Sequence, residues 1–149
     1  MAPESVIRDL LHRFEVCAIL ECDAIYRAAT SATRDTRRAR SVLASLNHVM
    51  LAPDPAAWNC LDVLFHRTLN DQSGNLVLAA AVEREHRDLL ARSAPYLSAP
   101  IDHLDRLWLL QSHHLKILGC VERGQPEEGV QHARAHLRCM QNIVVAALR

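Results

Sequence analysis

Residues 54–75, which read DPAAWNCLDVLFHRTLNDQSGN, decide the predicted fold. Asp54 is a residue type that caps the amino end of a helix, and Pro55 suits the first helical position, so a helix begins here. Apolar residues then recur at spacings of three and four, on one helix face: Trp58, Leu61, Phe65 and Leu69. The SGN run at residues 73–75 ends the segment, because glycine and asparagine favour turns.

Two polar residues lie within this apolar face. Asp62 and His66 are four residues apart, so their side chains lie one turn from each other on the same side of the helix. A carboxylate that points into a core is costly unless it is paired or bound to a metal ion. On this helix alone, a buried Asp–His hydrogen bond and a metal site explain the pattern equally well.

The rest of the chain also predicts helices, six in all, at about residues 5–29, 33–50, 54–71, 76–92, 99–122 and 126–149. Helix-breaking residues stand at or near the ends of these segments: Pro53, Gly74, Pro95, Pro100 and Gly124. The connections are short, so neighbouring helices should pack antiparallel in an all-α bundle.

The charge balance gives no electrostatic footprint for DNA or for an acidic membrane. Lys plus Arg number 17 and Asp plus Glu number 17, so the formal net charge is zero. The outer face of the second helix carries a run of arginines: Arg34, Arg37, Arg38 and Arg40. We interpret this run as a solvated face, with phosphate binding as the alternative.

Cysteine usage and hydropathy predict a cytoplasmic protein. The five cysteines are odd in number and form no C-x-x-C pair, which is typical of reduced core residues. No apolar run approaches the ~20 residues that span a membrane. Glu4, Arg8 and Asp9 interrupt any apolar signal-peptide core. We therefore expect no membrane contact.

The fifth helix has an apolar face formed by Leu107, Leu110, Ile117 and Val121. His114 lies within that face, so it should point inward. His113 is rotated by roughly 100°, onto a side shared with Arg106 and Lys116, so it should point outward. Taken alone, an inward histidine is more often a hydrogen-bonded core residue than a metal ligand.

The sixth helix shows a similar arrangement, with an inward face formed by Ala133, Leu137, Met140 and Val144. His136 falls inside that face, whereas His132, one turn earlier, lies nearer its edge. By themselves, His132 and His136 also fit a metal-binding pair on the surface, since they are four residues apart.

Three helices therefore direct polar side chains toward the core: Asp62, His66, His114 and His136. One carboxylate and three neutral imidazoles suit a divalent ion, with Zn²⁺ or Ni²⁺ expected, and leave open positions for water or a carboxylate ligand. One shared metal site explains the pattern better than independent core histidines in three helices.

Several short motifs resemble the FCD domain, the C-terminal effector-binding domain of GntR-family transcriptional regulators. The family's D-x3-H, H-x2-I and HL elements match residues 62–66, 114–117 and 136–137 in order and spacing. The SGN run at 73–75 and the segment 14–21 match as well, so the resemblance covers nearly the whole chain. Residues 122–125 resemble the turn before the family's last helix, although Gln125 stands where aspartate is usual.

The resemblance implies an antiparallel bundle of six or seven helices around a central cavity that holds a metal ion and a ligand. The family's metal ligands carry over onto Asp62, His66, His114 and His136. A small carboxylate metabolite is expected beside the metal, with Cys17, Glu21 and Asn75 as expected ligand-binding residues. Cys17 stands where the family usually has an arginine that pairs with this carboxylate, so coordination to the metal is expected to replace part of that contact.

The resemblance also implies partners. In the family, effector binding alters how a dimer presents its winged helix-turn-helix domains to DNA, so a homodimer is expected. A winged helix needs residues of its own, and none precede the first predicted helix. We therefore expect residues 1–149 to form one FCD-like ligand-binding domain, either a truncated chain or a stand-alone sensor, with DNA contacted only through a winged helix domain that is absent here.

Two other functions fit parts of the pattern. A metal site with open positions could serve a metal-dependent hydrolase, but no clear general base stands beside the ligands, and Glu21 is the nearest candidate. In a metal-free helical interaction module, the same histidines and aspartate would only form hydrogen bonds in the core. We expect a regulatory domain rather than an enzyme.

Overall fold

The computed structural model describes residues 2–52, 54–93 and 103–148. Within these ranges it contains six α-helices, one short 3-10 turn at Asp71–Ser73 and no strand. The helices are α1 (Glu4–Thr30), α2 (Arg37–Val49), α3 (Pro55–Asn70), α4 (Leu76–Ser93), α5 (His103–Arg123) and α6 (Pro126–Leu148). The predicted all-α class is confirmed, and the predicted breaks near Pro53, Pro95 and Pro100 lie outside the described residues.

The ends of the central helices follow from local chemistry, as the sequence predicts. Asp54 caps α3, because its Oδ1 accepts hydrogen bonds from the backbone N–H groups of Ala56 and Ala57 at 3.0 and 3.1 Å. Gly74 (φ 74°) and Gly124 (φ 67°) adopt left-handed backbone conformations after α3 and α5. Only glycine adopts this conformation freely, so Gly124 ends α5 directly, and Gly74 ends the 3-10 turn Asp71–Ser73 that follows α3.

The start of α2 differs from the prediction, which placed it near Thr33 instead of Arg37. The Arg34 guanidinium turns back, donating to the carbonyl oxygen of Ser31 at 2.7 Å and to that of Glu122. Asp35 Oδ1 accepts from the backbone N–H of Arg37 at 3.1 Å, which favours a turn before the helix. Arg34 therefore belongs to the connection, whereas Arg37, Arg38 and Arg40 are exposed on α2 as predicted.

Helix α1 occupies the centre of the bundle and packs against α3, α4, α5 and α6. It runs antiparallel to α6: the backbone N–H of Ala2 donates to the carbonyl of Leu148 at 2.9 Å, while Cys22 lies beside Val130 at the other end. Because neighbours surround it, α1 buries two residues with reactive side chains, Cys17 and Glu21, at 0% exposure each.

The cysteines are free, as predicted for reduced thiols. Cys60 is exposed, however, so the prediction that all five are core residues is wrong there. It precedes Asp62 by two positions, a rotation of roughly 200°, and so it faces away from the core. In the described part of the chain, no helix combines the length and the apolar character needed to cross a membrane.

Candidate metal centre

Four polar side chains meet in the interior of the bundle, contributed by α3 (Asp62 and His66), α5 (His114) and α6 (His136). All four are at most 1% exposed. Each offers one ligand atom, and these atoms lie within 4.8 Å of one another. We call these four residues the Asp62 cluster. The structure thus brings together the residues that helical spacing turned inward.

The polar atoms of the Asp62 cluster converge without satisfying one another. Nε2 of His66 lies 3.2 Å from Nε2 of His114. Asp62 Oδ1 lies 3.1 Å from His114 Nε2, but within the described part of the chain neither Asp62 oxygen forms a hydrogen bond of acceptable geometry. Both ring nitrogens of His136 also lack a hydrogen-bond partner among the residues that the structure describes. Buried polar atoms without hydrogen bonds destabilise the folded state, so a bound cation would stabilise the Asp62 cluster.

Gln111 fixes the protonation of the His114 ring. Its amide nitrogen donates to the carbonyl of Leu43 at 3.2 Å and to Asn47 Oδ1 at 2.9 Å, so its Oε1 faces the other way as an acceptor. That oxygen lies 3.0 Å from His114 Nδ1 and accepts its proton. The neutral ring therefore presents the lone pair of Nε2 to the cluster.

Glu21 fixes the His66 ring in the same way. Its Oε1 accepts a hydrogen bond from His66 Nδ1, which leaves the lone pair of Nε2 facing the cluster. Two lone pairs then face each other across the 3.2 Å between His66 and His114, beside a carboxylate. A cation resolves this arrangement, and one carboxylate with three imidazoles fits Zn²⁺ or a similar borderline ion.

Burial favours the neutral, metal-binding form of two imidazoles in the Asp62 cluster, those of His114 and His136. It lowers the pKa of His136 well below its ordinary value, and repulsion from His114 and His66 whenever those rings are protonated lowers it further. Burial likewise lowers the pKa of His114. For Asp62, burial alone would raise the pKa, but the neighbouring imidazoles of His114 and His66 outweigh it and lower the pKa. Neutral imidazoles and an ionised carboxylate are the ligand forms that a divalent ion requires.

A second buried group lies beside the first. Cys17 and Glu21 of α1, both predicted as ligand-binding residues, meet His86 of α4, and their candidate ligand atoms lie within 4.8 Å of one another. We call these three residues the Cys17 cluster. Sequence reasoning missed His86, although it follows Val82 by four residues and precedes Leu89 by three on the buried side of α4.

Three further polar residues that the sequence singled out belong to neither cluster: Asn75, His113 and His132. Asn75 is exposed, and its Oδ1 accepts a hydrogen bond from the backbone N–H of Leu78 at 3.0 Å, so it caps α4. His113, predicted to point outward, is half-buried, with its ring centroid 6.0 Å from that of His136. His132 is half-buried as well. The prediction for His113 is therefore only partly right, because α6 covers one side of its ring.

Substitution of Gln111 tests the role of hydrogen bonding in the Asp62 cluster. We expect Gln111→Leu to weaken Zn²⁺ binding by about 10- to 100-fold, since a ligating histidine loses the partner that fixes its tautomer. Competition against a chromophoric chelator measures this affinity. Gln111→Glu is the matched control, because its carboxylate still accepts from His114 Nδ1, and it should bind within a few-fold of wild type. Equal affinity in both variants and wild type would show that Gln111 has no such role.

Comparison with known proteins gives one finding, which covers most of the chain. The model of the FCD domain family matches residues 12–138. That span contains every residue of the Asp62 cluster and of the Cys17 cluster, from Cys17 in α1 to His136 in α6. No curated protein matches the chain.

Proposed function

The chain belongs to the FCD domain family, the C-terminal effector-binding domain of GntR-family transcriptional regulators, and on this premise we propose that it senses its effector through a divalent metal ion held by the Asp62 cluster. Zn²⁺ and Ni²⁺ are the proposed ions, because three imidazole nitrogens and one carboxylate oxygen are donors that both accept. The family supports the sensing role, and the donor set supports the metal.

One observation carries the metal proposal. The hydrogen bonds from Gln111 and Glu21 leave the lone pairs of His114 Nε2 and His66 Nε2 facing each other at 3.2 Å. In a metal-free interaction module, the described residues would leave these lone pairs and the two ring nitrogens of His136 without a partner. Because unpaired acceptors in a core are destabilising, this arrangement favours cation binding over a purely structural role.

We propose a small organic acid as the effector. When bound, a divalent ion supplies open coordination positions that accept a carboxylate. The chain itself offers no guanidinium at position 17, where Cys17 is fully buried beside Glu21. The effector's carboxylate would therefore depend on the metal for its main electrostatic contact, and Asn75, which is exposed, would contribute only if the effector reaches the start of α4.

An effector screen tests this dependence. Citrate, malate, lactate and gluconate are added to zinc-loaded protein, and melting temperatures are recorded. At about a hundred times its Kd, a bound acid adds about 2.7 kcal/mol of stability, a rise of roughly 5–10 °C for a domain of this size. Zinc-free protein should show no rise with the same acid. If no acid shifts the zinc-loaded protein, the organic-acid proposal is wrong.

We further propose that the domain works in the cytoplasm as part of a homodimer. In this family the dimer transmits effector binding to winged helix-turn-helix domains, which make the contact with DNA. A two-fold arrangement suits that role, since an isologous dimer presents two equivalent domains to a symmetric operator.

The geometry disfavours a hydrolase. Glu21, the nearest candidate for a general base, is fully buried, and its two oxygens contact His66 and His86. Burial by itself would raise its pKa, but the neighbouring His66 and His86 lower it well below the ordinary value, which weakens it as a base. Glu21 orients the imidazoles around it, and this suits a binding site better than a reaction centre.

A further inference from the structure

We propose that Cys17, Glu21 and His86 bind a second divalent metal ion, separate from the one held by the Asp62 cluster. This site goes beyond the proposed sensing function, because none of the four residues of the Asp62 cluster belongs to it. It is formed where α4 packs against the central helix α1.

The geometry of the Cys17 cluster is that of a preformed three-ligand site. Cys17 and Glu21 are four residues apart on α1, so their side chains lie on one face, and His86 meets them from α4. All three are at most 3% exposed, and their candidate ligand atoms lie within 4.8 Å of one another. Glu21 Oε2 lies 3.1 Å from His86 Nε2, while Nδ1 of the same ring has no hydrogen-bond partner in residues 2–52, 54–93 and 103–148.

The donor set differs from that of the Asp62 cluster in one important respect. A thiolate, an imidazole and a carboxylate together suit Zn²⁺, Co²⁺ or Cd²⁺, and the thiolate favours these ions over Mg²⁺ or Ca²⁺. Three protein ligands leave a fourth, open position in a tetrahedral geometry. Full burial of Cys17 disfavours a role as a nucleophile, since no substrate can approach its sulfur from solvent.

Two sites, rather than one enlarged site, follow from the orientation of Glu21. Its Oε1 accepts from His66 Nδ1, while its Oε2 faces His86. The opposite nitrogen of His66, Nε2, faces the Asp62 cluster, 3.2 Å from His114. The two clusters therefore meet at the contact between His66 and Glu21. Glu21 belongs to the Cys17 cluster through Oε2, and through Oε1 it orients a residue of the Asp62 cluster.

Cobalt titration of the purified, metal-free chain tests the proposal. We expect wild type to bind two Co²⁺ per chain and to develop a near-ultraviolet thiolate-to-cobalt charge-transfer band. Cys17→Ser should lose the band and bind one Co²⁺, whereas His114→Ala should keep the band and bind one. Cys120→Ser is the matched control, because Cys120 is also a buried cysteine, and it should behave as wild type. Circular dichroism verifies that each variant remains helical.

X-ray absorption at the zinc edge gives a second measurement that needs no variant. Zinc-loaded wild type should show sulfur scattering at about 2.3 Å. The proposal is wrong if wild type shows neither this sulfur shell nor the cobalt band, in which case Glu21 and His86 form only an ion pair. It is also wrong if Cys17→Ser still binds two Co²⁺. A third outcome separates the two proposed sites. If wild type and His114→Ala both show the charge-transfer band and both bind one Co²⁺, the Cys17 cluster is a metal site and the Asp62 cluster is not.

Discussion

Replacement of His114 by alanine is expected to reduce Zn²⁺ affinity at the Asp62 cluster by more than the ~10- to 100-fold that follows loss of an outer hydrogen-bond partner. The substitution removes a proposed ligand whose Nε2 lies 3.2 Å from His66 Nε2 and 3.1 Å from Asp62 Oδ1. It also leaves a cavity where the buried ring stood, which lowers stability by itself. Isothermal titration in a Cys17→Ser background measures the affinity of the Asp62 cluster alone.

His113→Ala is the control for this experiment. The two histidines are adjacent in the sequence, but His113 is half-buried and lies outside the Asp62 cluster. We expect His113→Ala to bind Zn²⁺ within a few-fold of wild type. If both variants bind as wild type does, or if both lose binding equally, His114 is not a specific ligand.

Removal of the metal is expected to lower the melting temperature by roughly 10 °C. A ligand that binds only the folded state, present at about a thousand times its Kd, contributes about 4 kcal/mol. For a domain of this size, each kcal/mol shifts the melting temperature by roughly 2–4 °C. The physical cause is local: without a cation, Asp62 and His136 keep buried polar atoms for which the described part of the chain supplies no hydrogen-bond partner.

The measurement is differential scanning calorimetry of zinc-loaded protein before and after addition of a chelator. His114→Ala serves as the control in the Cys17→Ser background, where the chelator should change the melting temperature by no more than a degree or so, because no tight site remains. A melting temperature of the Cys17→Ser protein that is insensitive to the chelator would favour the metal-free interaction module.

Helical spacing was sufficient to predict the Asp62 cluster as a group of inward side chains. The direction of a side chain on an amphipathic helix depends on its neighbours three and four residues away, and the sequence displays these directly. Asp62 and His66 lie between Trp58 and Leu69 on the buried side of α3, and the structure buries both as expected. The first residues of α3 and α6 were also predictable from local sequence, because Asp54 caps α3 and Pro126 suits the first position of a helix.

Contacts between distant segments were not predictable in this way. The late start of α2 depends in part on Arg34 reaching the carbonyl of Glu122, 88 residues along the chain. His86 meets Cys17 and Glu21 only because α4 packs on α1, and no local spacing connects these helices. The sequence singled out Cys17 only because it replaces an arginine. The structure places Glu21 and His86 beside it, and this grouping is the basis for proposing it as a metal ligand.

Glu21 connects the two clusters physically. It accepts from His66 on one side and contacts His86 on the other, while the ring centroids of these histidines lie 4.3 Å apart. An ion held by the Cys17 cluster would bind the same carboxylate that orients His66, so we expect the affinities of the two sites to depend on each other. Such reciprocity is a requirement of linked binding equilibria.

A crystal structure of the zinc-loaded chain, with anomalous differences recorded above and below the zinc edge, tests the central claim most directly. We expect an anomalous peak inside the bundle, about 2.0–2.2 Å from the ligand atoms of the Asp62 cluster. Zinc-saturated protein with no peak at that position would contradict it. So would a peak held by His113 and His132 in place of His114 and His136.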